Sequence, residues 1–426
     1  MTNANPMPAP SVTPSVSPRA AWTLILVASA VMMITMGARQ TSGLFLSPLN
    51  TATGLGVASI SFVMAVAQLM WGVAQPVAGA IADKYGPGRV IALGGVLLAA
   101  GMAATPFVQS EWALLLTMGL LSAAGAGAGS FSILIGATAQ RLPVERRAFA
   151  AGFINAGGSF GQFVFAPLMA AIIAGAGWIW AMLTMAATTL LTIPLAWPLR
   201  RRAAFTSASP TATQAAQAAP VAPAIGLGRQ LRDAMGERSY LCLHAGFFTC
   251  GFHIAFLVTH LPGEVAMCGL PATVSATALA LIGLFNIVGS LGAGALASRY
   301  RMKHLLFWIY ASRAVIIALY LAAPKTPWTF YLFAAALGAT WLATVPPTAG
   351  LVGKLFGVRY LATLFGMTLL SHQIGGFLGA WLGGLAVVHT GSYQWMWYAD
   401  MALALAAAFV NLPIREAAVA PVLARA

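Results

Sequence analysis

Apolar runs of 20 or more residues recur along the chain, separated by short polar turns, and they lack a two-residue alternation of polarity. Each is long enough to cross a ~30 Å hydrocarbon core as a helix. Twelve are read, at roughly 20–47, 58–82, 90–109, 112–138, 148–175, 177–199, 240–262, 272–297, 304–323, 328–352, 360–389 and 394–413. Membrane-spanning strands would instead show alternating segments of about ten residues. The pattern therefore predicts an all-α integral membrane protein. Pro76, Pro167, Pro346 and Pro347 fall inside spans and predict kinks, because proline removes a helical donor and crowds the preceding turn.

Composition agrees. Charged residues are 7% of the chain and hydrophobic residues 60%, with a mean hydropathy of +0.84. A soluble domain carries about 25% charged residues, so the surface of this chain is suited to lipid. The 44 glycines, with runs such as Gly125-Ala126-Gly127-Ala128-Gly129, allow close helix–helix approach.

The basic residues give an orientation. With the N-terminus inside, 19 of the 22 Lys and Arg residues fall in inner turns or tails; Lys325 is outside, and Arg39 and Arg313 lie within spans. Positive residues are retained on the cytoplasmic side, so both termini are expected there and the compartment to be a bacterial inner (plasma) membrane. The net charge of +14 then reflects topology, and no nucleic-acid partner is expected.

Five regions follow: a disordered cytoplasmic tail at 1–19, a six-helix bundle at 20–199, a cytoplasmic linker at 200–239, a second six-helix bundle at 240–413 and a tail at 414–426. The linker is low in complexity over 203–225 and cannot bury enough apolar area to fold. Residues 226–239, with Arg229, Arg232, Asp233, Glu237 and Arg238, read as a short amphipathic helix. Cys242, Cys250 and Cys268 show no metal or redox spacing, and neither a metal nor a cofactor is expected.

The halves repeat. Gly79-Ala80-Ile81-Ala82-Asp83-Lys84-Tyr85 matches Gly294-Ala295-Leu296-Ala297-Ser298-Arg299-Tyr300 at an offset of 215, and Gly152 and Gly161 match Gly366 and Gly375 at 214. Two duplicated, pseudo-symmetric six-helix halves are an architecture associated with alternating access. The turn Asp83-Lys84-x-Gly86-x-Gly88-Arg89 after the second span resembles the corresponding motif of the major facilitator superfamily. Asp83 there suits a gate, facing either a helix N-terminus or an arginine of the other bundle. Lys84, Arg89, Arg146 and Arg147 complete the candidate gating set.

Glu145-Arg146-Arg147-Ala148-Phe149-Ala150-Ala151-Gly152, followed by Gly157, Gly158, Ser159 and Gly161, resembles the helix 4–5 signature of the monocarboxylate transporter family. That resemblance implies a twelve-helix major facilitator fold and a small organic anion as substrate. It also implies an anion-binding arginine in helix 8, four residues after an Asp or Asn. Asn286 is present, but Ser290 stands where the arginine would be. The cation that the family carries in helix 1 is approximately kept by Arg39, beside Gln40.

Charge inside a membrane is expensive and points to function. Arg39 suits bidentate contact with a carboxylate. Arg313 and Asp400, in the ninth and twelfth spans, are expected to neutralise each other as a structural ion pair. His253 in the seventh span and His372-Gln373 in the eleventh could handle substrate or protons. Asn155, Ser159 and Gln162 form one polar stripe of the fifth span. Trp341 and Thr344 precede Pro346-Pro347, where freed backbone suggests a cavity lining.

No Walker-type loop and no nucleophilic triad occurs, so an enzyme is not expected. The expectation is a monomeric secondary transporter of a monocarboxylate-like anion, working by alternating access and coupled to protons. An oxalate/formate-type anion exchanger, or a solute sensor that transports nothing, are the alternatives.

Overall fold

The computed structural model describes residues 17–41, 45–200 and 226–419. Most of the expected 1–19 tail, the low-complexity stretch 203–225 and residues 420–426 lie outside the described residues. Twelve long helical elements follow: α1 Pro18–Gln40, α2 Val57–Tyr85, α3 Pro87–Ala104, α4 Glu111–Ala139, α5 Val144–Ala176 and α6 Trp178–Leu199, then α7 Arg238–Met267, α8 Ala272–Ala297, α9 Met302–Ala322, α10 Pro327–Phe356, α11 Leu361–Thr390 and α12 Gln394–Asn411. Ten of them are long and apolar enough to cross a membrane. That count is of the described residues; of the other two, α5 carries Glu145, Arg146, Arg147, Asn155 and Gln162, and α12 carries Gln394, Asp400 and Asn411.

The first span is shorter than its apolar run. α1 stops at Gln40, and Leu46–Thr53 forms a separate short helix closed by Gly54 in the left-handed conformation (φ 66°). α4 winds as a π-helix over Leu115–Ser122. α10 breaks at residues 341–344, and Pro346 and Pro347 enter the first turn of its second segment, where a missing N–H is tolerated. The expected amphipathic helix is present as Leu227–Met235, with Ala234 buried and Arg229 and Arg232 exposed. The start of the 414–426 tail is packed rather than free: Glu416 accepts from the Lys303 backbone (2.8 Å) and Lys354 Nζ (3.1 Å).

The two halves pack by the same rules. α1–α5, α2–α4 and α3–α6 in the first correspond to α7–α11, α8–α10 and α9–α12 in the second. Between halves, α2 lies on α11 and α5 on α8. The glycines make this symmetry visible at atomic scale. A Cβ on Gly152 would sit 2.5 Å from the Ser290 carbonyl oxygen, and one on Gly366 3.0 Å from the Gln75 carbonyl carbon. Adding 214 to Gly152 gives Gly366, and adding the 215 of α2 and α8 to Gln75 gives Ser290, so one contact is the image of the other. Likewise, a Cβ on Gly79 would lie 2.6 Å from the Ala362 carbonyl, and one on Gly294 2.8 Å from the Ala148 carbonyl. The repeat seen in the sequence is a repeat of interfaces, and the glycines sit where two helix backbones meet.

Candidate functional site

At the basic end, where the arginine-bearing turns gather, the halves are shut against each other. Asp83 ends α2 and is buried. Its Oδ2 accepts from the Thr363 backbone N–H (2.8 Å) and hydroxyl (2.7 Å), and its Oδ1 accepts from Gln140 Nε2 (3.2 Å). Thr363 is in the first turn of α11, so the carboxylate meets both an orphan donor and the positive end of a helix dipole. Of the two partners expected for Asp83, the helix N-terminus is the one found. Gln140 Nε2 also reaches the Arg359 carbonyl (3.4 Å). The remaining candidate gating residues do not cross between halves. Arg147 Nε donates to Leu142 O in its own half (3.0 Å), while Lys84, Arg89 and Arg146 are exposed and make no ion pair among the described residues. A cleft of about 330 Å³ remains between the halves here, bordered by Glu145, Arg147, Met302 and Lys354.

Towards the other end, a polar chain joins the halves. Arg39, half-buried at the end of α1, has its guanidinium carbon 4.1 Å from the centre of the Trp71 ring and donates to Gln68 Oε1 and to Gln40 Oε1 (3.1 Å). Gln68 donates in turn to Gln373 Oε1, and Gln373 Nε2 lies 3.1 Å from His372 Nδ1. Gln40 Nε2 reaches Gln162 Oε1 on α5 (3.4 Å). The structure thus brings Arg39, Gln40, Gln162, His372 and Gln373 into one network, through Gln68.

The other polar candidates form a second cluster, between α5, α8 and the break in α10. Asn155 Nδ2 donates to Ser290 Oγ (2.6 Å) and to the Leu342 carbonyl (3.1 Å). Asn286 Nδ2 donates to Ser159 Oγ (2.6 Å), while its Oδ1 accepts from Ser290 Oγ (3.2 Å) and the Leu342 N–H (3.0 Å). Ser290, which replaces the arginine of the resemblance, is fully buried in this cluster. A long cation there would have no room beside Gly152 and Asn155.

The expected pair between Arg313 and Asp400 is not formed. Asp400 Oδ2 is 2.5 Å from His253 Nδ1, and both residues are buried. Arg313 instead donates through one terminal nitrogen to the carbonyls of Thr340 and Trp341 at the α10 break, the latter at 2.5 Å. Two unwound carbonyls offer a buried guanidinium more acceptor density than an acid already claimed by an imidazole. Thr344 Oγ1 lies 3.4 Å from Cys250 Sγ, and the Trp341 ring 6.0 Å from that of His253. His253, Trp341 and Thr344 therefore belong to a compartment inside the second half, apart from Arg39.

Comparison with known proteins places the chain. Residues 27–380 match the Major Facilitator Superfamily. The chain belongs to that superfamily. It is 27% identical over 375 residues to monocarboxylate transporter 13 of Bos taurus, covering 87% of this chain and 84% of the relative. It is 24% identical over 376 residues to the oxalate:formate antiporter of Oxalobacter formigenes, covering 87% and 86%. Among solved structures, the Escherichia coli fucose:proton symporter FucP superposes with a TM-score of 0.71 at 14% identity, covering 92% of this chain and 99% of that one. That last likeness concerns the fold.

This major facilitator is a multi-pass membrane transporter, and its family consists of transporters rather than enzymes. Several of its polar contacts lay outside the residues picked from the sequence. Gln68 and Gln75 are seven residues apart on one face of α2 and were a readable signal; Gln75 is buried, and its Oε1 accepts from Ser130 (2.9 Å) and Ser132 (3.4 Å). Thr363, Gln140 and Cys250 carried no such signal, because each matters only through a partner more than fifty residues away.

Proposed function

We propose that the chain is a secondary transporter that carries a small organic anion across the bacterial inner membrane by alternating access, with its basic turns and both termini in the cytoplasm. The supporting observation is the Arg39 network. It contains one intramembrane cation, no acid to neutralise it, an aromatic floor in Trp71 and neutral amides from both halves in Gln68 and Gln373. Such a set can trade its internal hydrogen bonds for those of a carboxylate, which Arg39 would hold by charge-assisted donation. Because the network is anchored in α1, α2 and α11, an anion bound there contacts both halves and biases their relative position.

In this reading, Asp83 on the α11 N-terminus is the cytoplasmic latch, and the Asn155–Ser290–Asn286 cluster is a second, neutral seam. The relatives named as monocarboxylate transporter and oxalate:formate antiporter support a carboxylate as cargo. The test is ligand-induced thermal stabilisation of the purified protein against oxalate, formate, lactate and pyruvate. Stabilisation by one or more of these anions that disappears in Arg39→Gln is the expected result; shifts that survive the substitution unchanged would remove Arg39 from the site. Exchange rather than symport is distinguished by counterflow that is insensitive to an imposed proton gradient.

A further inference from the structure

The second half encloses a set of buried polar atoms for which the Arg39 network has no use. His253 Nδ1 and Asp400 Oδ2 share a hydrogen bond of 2.5 Å, yet His253 Nε2 and Asp400 Oδ1 have no partner. Arg313 is fully buried and uses one terminal nitrogen, leaving Nε and the other terminal nitrogen unpartnered. Buried polar groups are nearly always satisfied, and here a cation short of acceptors and an acid with a spare oxygen belong to helices packed on each other. α9 lies against α12. Arg313 is eleven residues beyond Met302 at the start of α9, and Asp400 eleven before Asn411 at the end of α12. At ~1.5 Å per residue both sit about 16 Å from the same end of the bundle. Each has what the other lacks, at one depth.

We propose that His253 and Asp400 form a proton-binding site, and that removing its proton transfers Arg313 from the α10 break to Asp400. With one proton in the Nδ1···Oδ2 bond and a second on Nε2 the pair is neutral overall, and Arg313 is free to hold α10. When that proton leaves, His253 stays neutral and Asp400 becomes an unshared carboxylate in a dry interior. Such a charge requires a paired cation, and Arg313 is the one on a packed helix at that level.

The other titratable groups facing the pair do not replace it. Cys250 on α7 lies against the Trp341 carbonyl and Thr344, Tyr310 on α9 donates to the Gly246 carbonyl, and His372 on α11 is in the Gln373 network. α8 contains no titratable side chain, and α10 only Tyr331 and Lys354 near its two ends.

The transfer has a mechanical consequence. Thr340 and Trp341, whose carbonyls Arg313 holds, directly precede Leu342. Leu342 is gripped through its N–H by Asn286 and through its carbonyl by Asn155 of the first half. Releasing the break therefore loosens a contact between halves, and protonation is coupled to their separation through α10. This is the proton side of the transport reading above, and it rests on that reading only for what the proton drives.

The experiment is infrared difference spectroscopy, between acid and alkaline buffers, of the full-length protein in lipid nanodiscs. A protonated-carboxyl band that appears on acidification, shifts in deuterated buffer and is lost in Asp400→Asn is the expected result. Arg313→Gln removes the cation that favours the carboxylate, so the band should persist about one pH unit or more higher; a merely structural Arg313 would not move it. A band retained in Asp400→Asn, no band in the unsubstituted protein, or an unmoved midpoint in Arg313→Gln would each overturn the proposal. Fluxes of oxalate, formate and lactate into proteoliposomes, with internal pH followed by a trapped dye, separate the two readings. Anion flux without the carboxyl band leaves transport standing and removes the dyad; the band without flux of any anion does the reverse.

Discussion

Asp83 is the one charged residue in the gating set that spans the halves, and neutralising it should open the basic end. In Asp83→Asn the amide oxygen can still accept from Thr363, but charge-assisted bonds become neutral ones. Bonds to a charged group contribute about 1.5–3 kcal/mol against about 1 for neutral ones, and a carboxylate at a helix N-terminus adds about 0.3–1 kcal/mol. Asp83 is only 3% exposed, so solvent screens little of this. A loss of about 2 kcal/mol follows, roughly a 30-fold shift in the ratio of closed to open states at 1.4 kcal/mol per decade. Asp83→Ala removes all three acceptor contacts and should shift the ratio by a few hundred-fold, at roughly 3–4 kcal/mol. Thr363→Ala, which spares the backbone bond, should shift it about five-fold, at roughly 1 kcal/mol. The distance between spin labels at Tyr85 and Tyr300 reports the ratio. These residues are exposed, at 60% and 65%, and occupy equivalent turns of the two halves. The expected order of opening is Asp83→Ala, then Asp83→Asn, then Thr363→Ala. Distance distributions identical in all three and in the parent protein would refute the latch.

Three further outcomes are expected. Gly79→Ala drives a methyl into the Ala362 backbone carbonyl, so the label distance should lengthen as in Asp83→Ala, while thermal stability falls by no more than about 1–3 kcal/mol. Gly161→Ala and Gly375→Ala are equivalent positions that meet the Met33 and Phe248 carbonyls inside their own halves. They should lower the melting temperature without changing the label distance, and a lengthened distance would contradict the packing. For the neutral seam, a double-mutant cycle of Asn155→Ala and Ser290→Ala, read by thermal unfolding, should give a coupling of about 0.6–1.7 kcal/mol, the range of hydrogen bonds between membrane helices.

What could be read in the sequence, and what could not, divides along a physical line. Span positions and the duplication are one-dimensional properties: apolar length, and residues recurring at nearly one offset. The helical elements match the twelve apolar runs for that reason, and Gly152 and Gly366 proved to be images of each other across the interface. Polarity inside a span did not show which residues gather: Gln162, read as one stripe with Asn155 and Ser159, joins Arg39, Gln40 and Gln373, whereas Asn155 and Ser159 join Asn286. Pairing was not legible, because a buried charge has several possible ways of being satisfied and the sequence displays only the charged ones. Arg313 and Asp400 looked like partners because each is costly alone. The sequence could not show that the break before Pro346 would expose two carbonyls to Arg313, or that α7 would bring His253 within 2.5 Å of Asp400. The proposed second arrangement differs from the observed one by the loss of one proton and the position of Arg313. Under the proposal above, the ion pair inferred from charge balance and the histidine–carboxylate bond seen in the structure are two protonation states of one site.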